Sequence, residues 1–229
     1  MKNSLAAAAR RVPFLVDLAR RLRDRSLFGG ARKRIKGKGN RFSWGDAILS
    51  DVRVDIVGND NEVRISAGCT LRGVLFHIRG DRHRILVGEN CRFNHGGKLW
   101  FEDSGCVLTI GAGSSFEEVS LALTESGSKV DIGSDCMFAY GVDVRTGDSH
   151  AIVEADTGKR INPAESVRIG NHVWVGAHAI ILKGVDLADG CVVASGSVVT
   201  KRFEQPGVIV AGNPARVVRE GVSWLRERI

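Results

Sequence analysis

Hydrophobic residues in the second half of the chain recur at an interval that fits neither helix nor simple strand. From Val167 to Lys201 (VRIGNHVWVGAHAIILKGVDLADGCVVASGSVVTK) an aliphatic residue stands at every sixth position: Ile169, Val175, Ile181, Leu187, Val193 and Val199. Glycine, alanine, leucine or threonine follows each, and the residue four past each of the first five is small or aliphatic. A helix repeats near 3.6 residues and a half-buried strand at 2, so neither explains six. Six is expected where each hexapeptide makes one short strand and one turn, and three of them close a coil of a parallel β-helix. The predicted class is therefore all-β.

Upstream the same motif returns at a longer interval. NEVRISAGC (61–69), HRILVGENC (83–91), VLTIGAGSS (107–115) and KVDIGSDC (129–136) align on Ile65, Val87, Ile110 and Ile132, spaced 22, 23 and 22. Three hexapeptides need eighteen residues, so each early coil carries about four more. The surplus falls in polar corners, GNDN (58–61), RGDR (79–82), EDSG (102–105) and TESG (124–127), where turn chemistry accounts for it. The next step, Ile132 to Ile169, is 37 residues. Two hexapeptides, FAYGVD and VRTGDS, fill part of it and leave an excursion over 147–166, GDSHAIVEADTGKRINPAES. A loop thrown from a regular scaffold is where binding and catalysis concentrate. The array is expected over 46–218, with a short C-terminal helix over 219–229 and a basic helical arm and linker over 1–45.

Charge sharpens the view of that arm. The first 41 residues hold thirteen Lys or Arg against Asp17 and Asp24, or +11; the whole chain is +7, so the remainder is 7 − 11 = −4. In SLAAAARRVPFLVDLARRLRDRSL (4–27), Leu15, Leu18 and Leu22 form an apolar stripe beside Arg20, Arg21, Arg23 and Arg25, with Pro13 splitting the segment. GGARKRIKGKGNR (29–41) reads as a flexible linker. Two roles suit the arm: a helix packing on its own oligomer, and peripheral attachment to an anionic membrane. Nucleic acid is not expected, because neither aromatic interleaving nor a base-reading motif accompanies the charge.

Five cysteines, an odd number, argue against a disulfide framework. Cys69, Cys91, Cys136 and Cys191 each stand four past a repeat aliphatic, the small interior position of a hexapeptide, while Cys106 has no assignment. A reducing, cytoplasmic location follows, peripheral to the inner face of the membrane in the case where the arm attaches there. No run of eighteen apolar residues is present, and arginines interrupt the N-terminal apolar residues as no signal peptide would allow. Few aromatics and 28 glycines suit tight coils around a thin interior.

Of the six histidines, His150 alone lies in the excursion, beside Asp148 and Ser149. An imidazole titrating near neutrality is a natural general base. His77, His83, His95, His172 and His178 fall at no metal-motif interval with each other or with cysteine, so no metal is expected. No GxSxG elbow, P-loop or dinucleotide fingerprint is present.

RTGDSHAI, TGKRIN, VRIGNHVWVGAHAIILKGV, VVASGSVVTK and AGNPARVVRE together resemble the hexapeptide-repeat acetyltransferases. They are most similar to the branch that O-acetylates bacterial polysaccharides, with galactoside and maltose acetyltransferases. The match is close over 129–220, looser over 59–128 and absent over 1–45. It implies a left-handed parallel β-helix, a homotrimer with sites in clefts between subunits, and acetyl-CoA as acyl donor. By the same resemblance His150 is the catalytic base and Trp174 lies beside the substrates. Ala177 and Ser195 border the pantetheine arm, Thr200 and Lys201 the adenosine end, and Arg219 reaches the phosphates. Asp148 is a substrate-side residue and, with Glu117, Glu118 or a backbone carbonyl, a candidate to orient His150. The implied reaction is O-acetylation of a sugar hydroxyl; N-acetylation of an amino sugar and a non-catalytic β-helix scaffold are the alternatives.

Overall fold

The structure, a computed structural model, describes residues 31–229. The expected helix over 4–27 lies outside them. From Ala31 onward the chain winds as a parallel β-helix of three sheets, with eight, seven and nine strands, called here the first, second and third faces. Each strand hydrogen-bonds to the strands one coil before and after it. Along the first face, for example, Val74–Arg79 pairs with Val52–Val57 and with Gly97–Phe101. Inward side chains alternate with outward ones, as the pleat requires, so Val52, Val54 and Ile56 are buried while Arg53 and Val57 face out.

The two repeat lengths appear as two coil sizes. From Trp174 to Val199 partners are 18 residues apart (Trp174 with Val192, Ile180 with Val198) and strands are two residues long. The early coils step by 21 to 23 and carry first-face strands of five or six residues. These wider coils hold more than the thin interior expected from composition. Phe76, Phe93, Phe101, Phe116 and Phe138 are fully buried, and Phe93, Phe116 and Phe138 stack at 4.5 and 4.8 Å from coil to coil. All five cysteines are buried free thiols, Cys106 included.

Two expectations are corrected. The segment read as a flexible linker is the first coil: Ala31–Lys36 pairs with Val52–Val57, and Arg41–Ser43 with strand Glu62–Ile65. Its glycines are corner residues. A methyl on Gly37 would lie 1.9 Å from the Gly58 carbonyl oxygen, and one on Gly58 would lie 1.8 Å from that of Gly80. Both have positive φ (119° and 144°), so successive corners stack bare backbone on bare backbone. Lys33, in register with buried Val54, sets its ammonium 4.0 Å from the Trp44 ring.

The second correction is at the other end, where residues 219–229 form no helix. Ile209–Gly212 pairs with Val192–Val193, and Ala215–Arg219 folds back antiparallel on it. The tail then runs extended over the third face. Trp224 stacks on His172 (centroids 4.2 Å apart) and donates its Nε1–H to the His172 carbonyl at 2.7 Å. Arg226 donates to Asp135 Oδ1, Ser115 Oγ and the Gly113 and Cys136 carbonyls. Residues two apart in a helix point to nearly opposite sides, whereas in extended chain they share a face. Docking of both Trp224 and Arg226 on one surface therefore selects the extended form.

Candidate functional site

The regular winding breaks between strands Val142–Arg145 and Val167–Ile169, at the edge where the first face turns into the second. The excursion is an ordered structure with its own hairpin: Val153 bridges Arg160, and Ile161 N–H reaches the Ile152 carbonyl at 2.8 Å. Its organiser is Asn162, which is 6% exposed. Asn162 Oδ1 accepts from Ile152 N–H (2.6 Å) and Arg160 Nε (3.2 Å). Its Nδ2 donates to Asp148 Oδ2 (2.9 Å) and to the His150 carbonyl (2.8 Å). Two ion pairs tie the excursion to the coils on either side. Arg160 grips Glu125 with both terminal nitrogens (2.9 and 2.5 Å), and Lys183 Nζ meets Asp148 Oδ2 at 2.5 Å.

His150 sits at the exposed crest of this loop. Its backbone is held on both sides, N–H to the Asp148 carbonyl and C=O to Asn162, behind Ser149 at a left-handed φ of 65°. Among the described residues no side chain hydrogen-bonds the imidazole, which leaves both ring nitrogens open to a substrate. The Asp148 carboxylate is committed to Lys183 and Asn162, not to the ring. Lys183, with Asn162 in support, holds it below the usual carboxylate range. Asp148 touches the His150 segment only through its own carbonyl, which accepts the His150 N–H, and through Asn162. Glu117 is bonded instead to Asn94 and His95.

The remaining sequence-selected residues spread over three parts of the coil. Thr200 and Lys201 are exposed on the same edge as the loop, just past strand Val198–Val199, with Lys201 Nζ 5.5 Å from the Phe203 ring. Ala177 and Ser195 lie one coil apart on the edge between third and first faces, joined by the Gly196 N–H to Ala177 carbonyl bond. Trp174 points outward from the third face, 39% exposed, its ring 6.2 Å from that of Trp224. Arg219 is exposed at the end of the C-terminal hairpin. One chain thus brings together His150, Asp148, Thr200 and Lys201 along one edge, and leaves Trp174, Ala177, Ser195 and Arg219 elsewhere. Sequence reasoning missed Asn162, Lys183, Arg160 and Glu125; only the placement of Lys183 on the loop's edge, countable from the repeat, signalled any of them. Among the described residues no group of three or more His, Cys, Asp or Glu could hold a metal ion. No helix there is long and apolar enough to cross a membrane.

A parallel β-helix wound from hexapeptides is the architecture of the hexapeptide transferases. Comparison with known proteins agrees: the bacterial transferase hexapeptide (six repeats) family matches residues 166–201. A polysialic acid O-acetyltransferase of Neisseria meningitidis is 33% identical over 181 residues, covering 79% of this chain and 83% of that protein. A polysialic acid O-acetyltransferase of Escherichia coli O1:K1 / APEC is 35% identical over 165 residues; the match takes in 72% of this chain but 45% of that longer protein. Among solved structures, the polySia-specific acetyltransferase NeuO superposes with a TM-score of 0.78 at 29% identity, covering 86% of this chain and 90% of that one. The chain belongs to the hexapeptide-repeat polysaccharide O-acetyltransferases and is an acyltransferase. Its coil matches the left-handed β-helix of that class.

Proposed function

We propose that the protein transfers the acetyl group of acetyl-CoA to a hydroxyl of a polysaccharide, with His150 as general base. The observation that carries this is the loop itself, an anchored excursion that fixes the His150 backbone and leaves its ring free. The imidazole accepts the proton of the acceptor hydroxyl as the oxygen attacks the thioester carbonyl. Backbone N–H groups of the Trp174 coil stabilise the oxyanion, and the imidazolium returns its proton to the departing thiolate. Transfer is direct, a reading supported by the burial of every cysteine away from the loop.

A homotrimer completes the site. His150 and Lys201 lie on one edge of the prism, while Ala177 and Ser195 lie on another, so copies set side by side would supply the donor track that one chain lacks. Lys201 and Arg219 would meet the phosphates of the donor. Polysialic acid, the acceptor in the names of the two relatives, is the first acceptor to try.

The test is incubation of full-length protein with labelled acetyl-CoA and polysialic acid, a galactoside or an amino sugar. Label should enter a carbohydrate as an ester lost in mild alkali, and His150→Ala should abolish it. An alkali-stable product would mean N-acetylation. Absence of transfer to any carbohydrate, or full activity of His150→Ala, would overturn the proposal.

A further inference from the structure

The first face carries a surface that none of this chemistry uses. In the register of its strands, one outward column reads Arg32, Arg53, Leu75, Lys98, Ser120, Asp143. The next reads Arg34, Asp55, His77, Trp100, Ala122, Arg145. Its chemistry changes in steps from the first coil toward the loop.

At the first-coil end the surface is a concavity of about 380 Å³ whose outward charged residues are Arg32, Arg34 and Arg53 with one carboxylate, Asp55. That carboxylate is already engaged by Arg79 at 2.7 Å, and this pairing holds it below the ordinary range. The concavity therefore keeps an excess of positive charge. Next come two flat rings: His77 and Trp100 stack at 3.7 Å and 12°, with Lys98 Nζ 4.3 Å from the Trp100 ring. Burial and the nearby Arg79 push the His77 imidazole below its usual range, so the pair stays an uncharged platform at neutral pH. Beyond it lies a groove of about 400 Å³ with bare backbone at Gly73, Gly96, Gly97 and Gly141, and with His95, Lys98, Glu118 and Asp143 in its walls, a polar lining suited to hydroxyls and not to further carboxylates. Strand Val142–Arg145, beside that groove, runs straight into the His150 loop.

We propose that this face is a docking track for a linear, carboxylate-bearing polysaccharide, the acceptor of the reaction proposed above, on which this inference rests. Guanidinium and ammonium groups recognise carboxylates spaced along a chain. The ring platform takes the apolar C–H face of a sugar, and the polar groove takes hydroxyls. A membrane is disfavoured, since its binding surfaces present protruding apolar side chains, whereas here the rings lie flat on each other. Strands are spaced 4.7–4.9 Å, so five steps from Ala31–Lys36 to Val142–Arg145 cover about 24 Å. A long acceptor spans that distance and a disaccharide does not.

The experiment uses the full-length chain and a triple variant, Arg32→Glu with Arg34→Glu and Arg53→Glu; Trp100→Ala serves as an independent variant that leaves the charges in place. Binding of polysialic acid and polygalacturonate is measured without acetyl-CoA, beside neutral dextran, phosphatidylserine vesicles and a single-stranded oligonucleotide. Expected is salt-sensitive binding of both acidic polysaccharides but not dextran, weakened about tenfold or more by either variant. For transfer, kcat/KM should fall comparably for long acidic acceptors and stay unchanged for a disaccharide. Binding of dextran as tight as that of the acidic chains, unchanged binding by both folded variants, an equal loss for short and long acceptors, or tighter binding of vesicles or oligonucleotide would each overturn the track. Because the binding arm needs no turnover, a protein that binds as expected yet acetylates no carbohydrate would refute the proposed reaction and leave the docking surface standing.

Discussion

Asn162→Ala should release the histidine loop while leaving the prism intact. The side chain is nearly buried, yet all four of its hydrogen bonds stay within the excursion: Ile152, Arg160, Asp148 and the His150 carbonyl. A typical intramolecular hydrogen bond contributes about 0.5–1.5 kcal/mol net, with bonds to charged groups at the upper end or above. Two of the four have a charged partner. Water recovers part of what is lost at a surface loop, so a total near 2–4 kcal/mol is reasonable. Each 1.4 kcal/mol is tenfold, so the open loop becomes about 30 to 1,000 times more populated. The Arg160–Glu125 and Lys183–Asp148 pairs remain as tethers, which keeps the loop attached and the effect local.

Two assays read this out. Amide exchange at Ile152 and Ile161 should accelerate by that factor while amides of the core strands keep their protection. In parallel kcat/KM should fall, because a base displaced by an ångström loses most of its advantage. Asn162→Asp sharpens the test. It sets a carboxylate against Asp148, so it should be more damaging than alanine at neutral pH and partly relieved in acid, where a protonated side chain can donate. Unchanged exchange in the loop would refute the reasoning. So would a fall in global stability matching the loop's, since the excursion would then not be an independent unit.

His150→Ala should lower transfer about a hundredfold or more with no change in melting temperature, because the exposed ring has no side-chain partner to lose; retained activity would remove it from the mechanism. Trp174→Ala should raise KM for donor or acceptor and lower turnover with the fold intact; a loss confined to stability would make the ring a packing partner of Trp224. Asp148 titrates below the ordinary carboxylate value because of Lys183. Its contribution to loop stability is thus complete above the unfolded value near 4 and is lost as pH falls through the lowered folded one. Loop protection should accordingly be flat from about pH 5 to 8 and decline only below about 4, and a decline starting near neutrality would contradict the assignment.

How much of this could be read from sequence follows from how often each contact is repeated. Hydrophobic residues in one register column of the first face, Ile35, Ile56, Ile78, Phe101 and Leu123, are spaced 21, 22, 23 and 22 and align strand by strand. The later coils keep their count of 18, which is why the array and the loop, visible as a break in the count, were both legible. The first coil obeyed the same spacing but was masked by composition. Its glycines are corners and six of its eleven residues over 31–41 are cations, so a segment that packs by register resembled one that does not pack at all. The tail was masked in the opposite sense: Trp224 and Arg226 suggest a short helix until their partners, His172 and Asp135, are seen side by side on the third face. Asn162 left no trace. Its partners lie 2 to 14 residues away in a stretch without period, and each of its bonds is made once. Periodicity reports only interactions that recur from coil to coil. A loop that holds one imidazole for one reaction consists of interactions that do not recur, and so its architecture had to come from the structure.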